Sequence, residues 1–293
     1  MHPHINYIKL LPMLKILKPG FYSTLQDTGR FDFRDKGVPV SGAMDLYSSK
    51  FANALLGNDA DSAVIEMTMV GGVFQFLEST YITVSGANMS PQLNGISFQQ
   101  NTVISVKSGD ILCFQRAENG FRTYLAVKGG FILKSILGSQ SQYAPITALG
   151  HLKKEQMLQY PIYNAEVAMS NAQYNHSFLT NHNLDVFEGP EFNTLSEYQK
   201  ALILTSDFKV SKYNNRMAYQ LESTIENEIQ PILTSPVLSG TVQLTPKGHI
   251  IILMRDAQTT GGYPRILQLT EHAVNILGQK TTGNIIKFRL KAF

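Results

Sequence analysis

The sequence contains no tryptophan and one cysteine, Cys113. A single cysteine cannot staple a fold, so a disulfide framework is excluded and an oxidising compartment is not indicated. Cys113 sits in the apolar run ILCF and reads as a buried, inert thiol rather than a nucleophile. Charge is also scarce, at 16% of residues, with 25 basic and 22 acidic side chains and a net charge of +3. No basic block stands out, so nucleic acid is not an expected partner. No apolar run approaches the length of a helix that crosses a bilayer, and membrane association is not expected. The first residues, MHPHINYIKLLPM, lack the charged start, apolar core and small-residue cleavage site of a signal peptide. Met13 opens a cleaner strand than Met1, so residues 1–12 read as a leader outside the fold, with His2 and His4 in a frayed terminus. The expectation is a cytoplasmic protein. Walker A, Rossmann, nucleophile-elbow and metalloprotease signatures are all missing. His151, His176 and His182 show no metal-ligand spacing, and no metal site is assigned.

What is present is a chain of 293 residues, 43% hydrophobic, enough for one large or two ordinary domains with a substantial core. After LKILK come short strand-like runs at close spacing: VIEMTMV, VFQFL, YITVSGA, TVISV, ILCF and TYLAVKGGF. Turn residues recur between them, which is the pattern of a barrel or sandwich. Met44, Tyr47, Phe51 and Leu55 recur at spacings of three and four, predicting a helix over Met44–Leu56 capped by Ser41 or Asp45 and stopped by Gly57-Asn58. Residues 138–182 are polar and weakly periodic, and are expected to form a linker or flap. A second β-rich half follows, with helices expected over Asn193–Leu204, capped by Asn193 or Thr194, and over Thr270–Leu277. The fold class expected is mainly β: two barrel-like domains, 13–137 and 183–293, with a few short helices.

Two polar stretches interrupt this pattern. The first holds Asp27, Arg30, Asp32, Arg34, Asp35 and Lys36 among several glycines, as solvated charge or as an ordered loop. The second, RDAQTTGGYP, follows the buried-strand run ending at Met254. Gly261 and Gly262 permit positive φ and close approach. Thr259, Thr260 and nearby amides could form an anion-binding nest, or the Gly-Gly pair could be a hairpin tip. Glu66 lies inside an apolar strand and must be paired or belong to a site. Asp27 can cap a turn or pair with Arg30, and Asp256 can pair with Arg255 or Arg265.

Several motifs occur in order: STLQDTGR, GVPVSGAMD, ANALLGN, Glu66, EGPEF, NNRMAYQLE, SGTVQL and DAQTTGGYP. Together they resemble the biotin-dependent carboxyltransferase family, over nearly the whole chain from Leu14 to Phe288. That family includes the C-type component of 5-oxoprolinase, the carboxyltransferase part of urea amidolyase and Kip-type antagonists of a kinase inhibitor. The resemblance implies two cyclophilin-like β-barrels. It implies partners, a B-like (Kip-inhibitor-like) protein and an A-like protein, and ATP with magnesium used by the assembled complex to open 5-oxoproline to glutamate. Two other readings are carboxyl transfer from biotin to a urea-like acceptor, and non-catalytic antagonism of a kinase-inhibitor protein.

A lactam must be activated before it hydrolyses. Donors are needed for phosphate oxygens and for the substrate carboxylate. Asp27, Arg30 and Asp256 are the catalytic candidates, with either aspartate able to hold magnesium or orient an arginine. Gln26, Ser41, Asp45, Asn58, Glu66, Thr259, Thr260, Gly261, Gly262 and Tyr263 are the substrate-binding candidates. The chain departs from the family pattern at Ser139-Gln140-Ser141, at Leu149-Gly150-His151, at Lys153-Lys154-Glu155-Gln156, and at Ala218 and Gln220. Lost arginines there would remove planar bidentate donors.

Overall fold

In the computed structural model, residues 12–163 and 172–291 are described. Residues 1–11 of the expected leader, with His2 and His4, and residues 164–171 of the expected linker lie outside them, while Pro12 is buried and its carbonyl accepts from Tyr160 N at 3.0 Å. Period-two alternation builds the first unit. Met13–Lys18 (β1) alternates half-buried and buried positions, putting Leu14 and Ile16 in a core. It is followed by Tyr22–Gln26 (β2), the helix Leu46–Leu55 (α1), Val64–Thr68 (β3), Val73–Phe76 (β4), Thr80–Asn88 (β5), Gln92–Leu93 (β6), Ile96–Ser97 (β7), Ile104–Val106 (β8), Ile111–Cys113 (β9) and Asn119–Val127 (β10). With Met157–Gln159 (β11), these strands form two sheets, ordered β11-β1-β4-β9-β6-β7 and β2-β3-β10-β5-β8. Leu25, Ile65, Phe74, Phe76, Val84, Leu112 and Leu125 fill the core between them. Cys113 is only half-buried, because the alternation of β9 gives the inward position to Leu112.

The second unit comprises Ser177–Thr180 (α2), Asn183–Glu188 (β12), Glu197–Thr205 (α3), Phe208–Asn214 (β13), Ala218–Thr224 (β14), Ser235–Pro236 (β15), Thr241–Leu244 (β16), His249–Leu253 (β17), Thr260–Gly261 (β18), Arg265–Leu269 (β19), Glu271–Gly278 (α4) and Ile285–Leu290 (β20). Seven of its strands close a barrel in the order β12-β19-β16-β17-β14-β13-β20. The chain is thus mainly β with short helices, as its pattern requires. Among the described residues no helix is long and apolar enough to cross a membrane.

Three expectations need correction. Residues 139–160 are not a free linker: β11 pairs with β1, the Gln142 amide oxygen accepts from Leu25 N at 3.0 Å, and Leu152 N donates to Ser23 O at 2.8 Å. The second core begins before residue 183, since Tyr174, Phe178 and Leu179 belong to it. Asn193 and Thr194 do not cap α3. They lie in a 3-10 turn, and Ser196 caps the helix in a reciprocal box with Gln199. Asp45, one of two residues considered, caps α1 by accepting from Ser48 N. The helix is shared: Met44, Tyr47 and Phe51 pack on the barrel core, while Ala52 and Leu56 pack with Val64 and Ala126 of the first unit.

Candidate functional site at the interdomain cleft

The register of three antiparallel strands lays out the site. Tyr22, Thr68 and Arg122 are direct neighbours across β2, β3 and β10, and two residues along lie Thr24, Glu66 and Tyr124. Alternation places both rows on one face of the sheet, with Leu25, Ile65 and Leu125 on the other, in the core. All five residues of β3 are buried, because the second unit covers the outer face that an antiparallel sheet often leaves to water.

Glu66 is therefore paired. Its Oε2 accepts from Met44 N at 2.7 Å and from the Tyr124 hydroxyl at 2.9 Å, and its Oε1 meets Arg216 Nη1 at 2.6 Å. Arg216 comes from the tight turn joining β13 to β14, where the Asn215 side-chain oxygen accepts from Met217 N and Ala218 N. Its Nε donates to Asp256 Oδ2 at 2.7 Å, and its Nη2 donates to Asp256 Oδ1 at 3.1 Å and to Gly42 O at 2.7 Å. A buried guanidinium is tolerable only when its charge and donors are matched. Burial opposes the Arg216 charge, but Asp256 and Glu66 outweigh it and hold its pKa above the ordinary arginine value.

Arg122 stands beside this pair. Its Nη1 donates to the Tyr219 hydroxyl at 2.9 Å and to Gly278 O at 2.5 Å, while Nε lies 3.7 Å from Glu66 Oε1, too far for a hydrogen bond. Gln279, just after α4, clamps the strand: its Oε1 accepts from Phe121 N and Arg122 N, both at 2.9 Å. Its Nε2 donates to Arg122 O at 2.9 Å and to Asp45 Oδ2 at 2.7 Å. Asp45 is fully buried, and desolvation pushes its carboxyl up to about 6 despite the bonds from Gln279 and Ser48.

Above these groups opens a cleft of about 520 Å³, within the range of small-molecule sites. Phe21, Tyr22, Phe121, Tyr143 and Met217 give it apolar walls, and Thr68, Arg122, Arg216 and Asp256 contribute its polar and charged lining.

Of the residues expected to bind or react, Asp256 lines this cleft. It pairs with Arg216, not with Arg255 or Arg265, which pair instead with Glu271 and Glu191. Asp27 ties down a loop: it accepts from Gly29 N (2.8 Å), Ser139 Oγ (2.8 Å), Ser141 Oγ (2.6 Å) and Gln140 N (2.6 Å). Arg30 is fully buried under the same loop, donating from Nε to Ile136 O at 3.1 Å and from Nη2 to Ser141 O at 2.8 Å. Neither Asp27 nor Arg30 lines the cleft. Gln26 reaches Thr24 and Gln142 O, Ser41 N donates to Arg255 O, and Asn58 joins the end of α1 to Val127 and Gly129. Gln140 points its amide oxygen at Leu133 N, and Gln220 reaches His249.

The Gly-Gly expectation is corrected. Neither Gly261 nor Gly262 has positive φ, and Thr260–Gly261 is a short strand paired with Ser235–Pro236, so it is neither a nest nor a hairpin tip. A Cβ on Gly261 would sit 2.7 Å from Gln243 Nε2, the end of that side chain. Tyr263 is 41% exposed on this ribbon, and its carbonyl accepts from Gln243. The two polar stretches do meet, through Ser41 N on Arg255 O at 2.9 Å and the Arg34 guanidinium on Thr259 O at 3.4 Å. Arg216, Arg122, Thr68 and Tyr22 were not singled out from sequence. The signal that could have found Arg122 and Thr68 was Arg122 and Tyr124 in step with Thr68 and Glu66 on neighbouring strands, and Arg216 stands in the motif NNRMAYQLE. Among the described residues, no group of three or more His, Cys, Asp or Glu gathers to hold a metal ion.

The sequence matches the family described as carboxyltransferase domain, subdomain A and B, over residues 36–290. It is 32% identical to the C-type component of 5-oxoprolinase from Escherichia coli over 94% of this chain and 90% of that protein. It is 30% identical to the same 5-oxoprolinase component from Haemophilus influenzae, with the same coverages of 94% and 90%. The crystal structure of Kluyveromyces lactis urea carboxylase matches it with a TM-score of 0.84 and 26% identity over 96% of this chain, which spans only 28% of that one. With a family match over most of its length and relatives alike end to end, this chain belongs to the carboxyltransferase subdomain A and B family.

Proposed function

We propose that this chain is the C-type component of an ATP-dependent 5-oxoprolinase and that the interdomain cleft receives the cyclic amide. The observation that carries the reading is the ion lattice of Glu66, Arg216 and Asp256 below apolar walls. A small ring finds apolar area in the walls, and its polar edge faces fixed charges that need no reorganisation as charge develops. Transfer of a phosphoryl group to the lactam oxygen converts that oxygen into part of a leaving group, and water then opens the ring. ATP and its magnesium are assigned to the complex with a B-like and an A-like partner, as the family resemblance implies. Dependence on ATP favours the cytoplasm for that complex. Asp256 is the cleft carboxylate, and Arg216 orients it.

The likeness to urea carboxylase favours one other reading, carboxyl transfer from biotin to a urea-like acceptor. Co-expression with B-like and A-like partners, followed by ATP hydrolysis with and without 5-oxoproline, separates the two. The expected result is hydrolysis stimulated by 5-oxoproline and reduced about tenfold or more in Asp256→Asn, with complex formation unchanged. A stable complex without stimulation would overturn the proposal. Biotin-dependent carboxyl exchange would establish the other reading.

A further inference from the structure

The cleft lining is not uniformly satisfied. Arg216 spends four of its five N–H donors on Asp256, Glu66 and Gly42, which leaves a single N–H on Nη1 and no planar fork for a ligand. Arg122 differs: of its guanidinium nitrogens, only Nη1 hydrogen-bonds within the described residues, and Nε is buried without a partner. Its neighbour across the ladder, Thr68, also lines the cleft, with Oγ1 buried and unpartnered. Buried donors without acceptors are uncommon and call for an explanation. These two lie on adjacent strands, about 5 Å apart along the hydrogen-bonding direction, on the same face. The Phe121 ring lies 4.9 Å from the Arg122 guanidinium carbon, which holds the side chain in place before anything binds.

We infer that Arg122 and Thr68 form a carboxylate-recognition pair in the interdomain cleft, so that the site selects a small cyclic amide bearing a carboxylate over a neutral amide. The inference rests on the cleft being the amide site. The ligand carboxylate accepts from the free edge of the Arg122 guanidinium and from the Thr68 hydroxyl, and its ring lies against Tyr22, Phe21 and Met217. A guanidinium edge suits a carboxylate because its donors form a planar fork. The other cleft cation, Arg216, is hydrogen-bonded to both Glu66 and Asp256, whereas Arg122 meets Glu66 only at 3.7 Å and makes no hydrogen bond to a carboxylate, so Arg122 is the one with donors to spare. Urea and 2-pyrrolidinone offer no anion to it, and the unpaired donors would count against them.

Thr68→Val gives a clean test, because the hydroxyl it removes has no partner among the described residues and its loss leaves no orphaned group. Binding of 5-oxoproline, 2-pyrrolidinone and urea is measured by calorimetry on the full chain, alone and in its assembled complex. The expected result is 5-oxoproline binding that Thr68→Val weakens about tenfold, as a lost charged hydrogen bond should, with the thermal midpoint unchanged or raised. The two neutral amides should bind at least about tenfold more weakly than 5-oxoproline and show no dependence on Thr68. Arg122→Lys keeps the charge and loses the fork, so it should weaken 5-oxoproline further. Equal binding of 5-oxoproline and 2-pyrrolidinone, no effect of Thr68→Val, or no binding of 5-oxoproline in either form would overturn the inference. Thr68-dependent binding of 5-oxoproline in a complex that shows no stimulated ATP hydrolysis would uphold it while removing the proposed activity.

Discussion

Two buried polar assemblies organise this molecule, and they differ in what borders them. Around Asp27, four donors from Gly29, Ser139, Gln140 and Ser141 converge on one carboxylate, and Arg30 caps carbonyls of the same loop. Every one of these partners belongs to the first unit. Around Arg216, the partners come from both units: Glu66 and Gly42 from the first, Asp256 from the second. The Asp27 assembly closes a loop onto its own sheet. The Arg216 assembly joins two units and borders a cleft. Density of charge in the sequence marked the first more strongly than the second. Position at a boundary between units, not charge density, distinguishes the candidate site.

The largest test of this contrast is Arg216→Met. It leaves Glu66 and Asp256 as buried carboxylates without their cation, and removal of one partner from such a pair costs about 3–5 kcal/mol. Urea unfolding should show that loss, together with separation of the two units. A loss under about 1 kcal/mol would mean that water solvates the lattice.

Asp45 gives a smaller, pH-dependent effect. Its folded pKa, pushed up to about 6 by burial, lies above its ordinary value of 3.8. The folded state therefore holds its proton to higher pH than the unfolded state does. Its contribution is most favourable below about pH 4 and is lost as pH rises through about 6, with about 3 kcal/mol as the upper bound for a shift of about two units. Stability measured from pH 4 to pH 7 should fall more steeply in the parent than in Asp45→Asn. Parallel curves would show that Asp45 ionises normally.

Asp27→Ala should cost less, about 2 kcal/mol, because it leaves neutral donors of Ser139, Ser141 and Gly29 unpaired rather than a buried charge. Hydrogen exchange should rise in residues 136–142, and the interdomain cleft should keep its ligand affinity. If that affinity fell as far as stability did, the two assemblies would be coupled and the contrast would fail.

Much of the architecture could be read in advance. The alternation of MLKILK and the spacing of Met44, Tyr47, Phe51 and Leu55 announced a strand and a helix, and ordered motifs announced the family. The errors share one cause, local reading of polar segments. Residues 139–160 look like linker because few are apolar, yet Gln142 and Leu152 bond directly to β2, and β11 adds to β1. RDAQTTGGYP looks like a turn because Gly-Gly is common in turns, but Thr260–Gly261 pairs with Ser235–Pro236, which lies more than 20 residues earlier. Asp256 was found, but its partner was not, because Arg216 stands 40 residues away.

Local pattern determined which residues form strands, which face of each strand is apolar, and where α1 begins, because these follow from side-chain periodicity and capping within a few residues. Only the tertiary structure decided that Thr68, Arg122, Arg216 and Asp256 share one cleft, and which carboxylate each arginine serves. Strand register and the docking of the two units set those distances, and both are fixed by contacts between residues far apart in the chain.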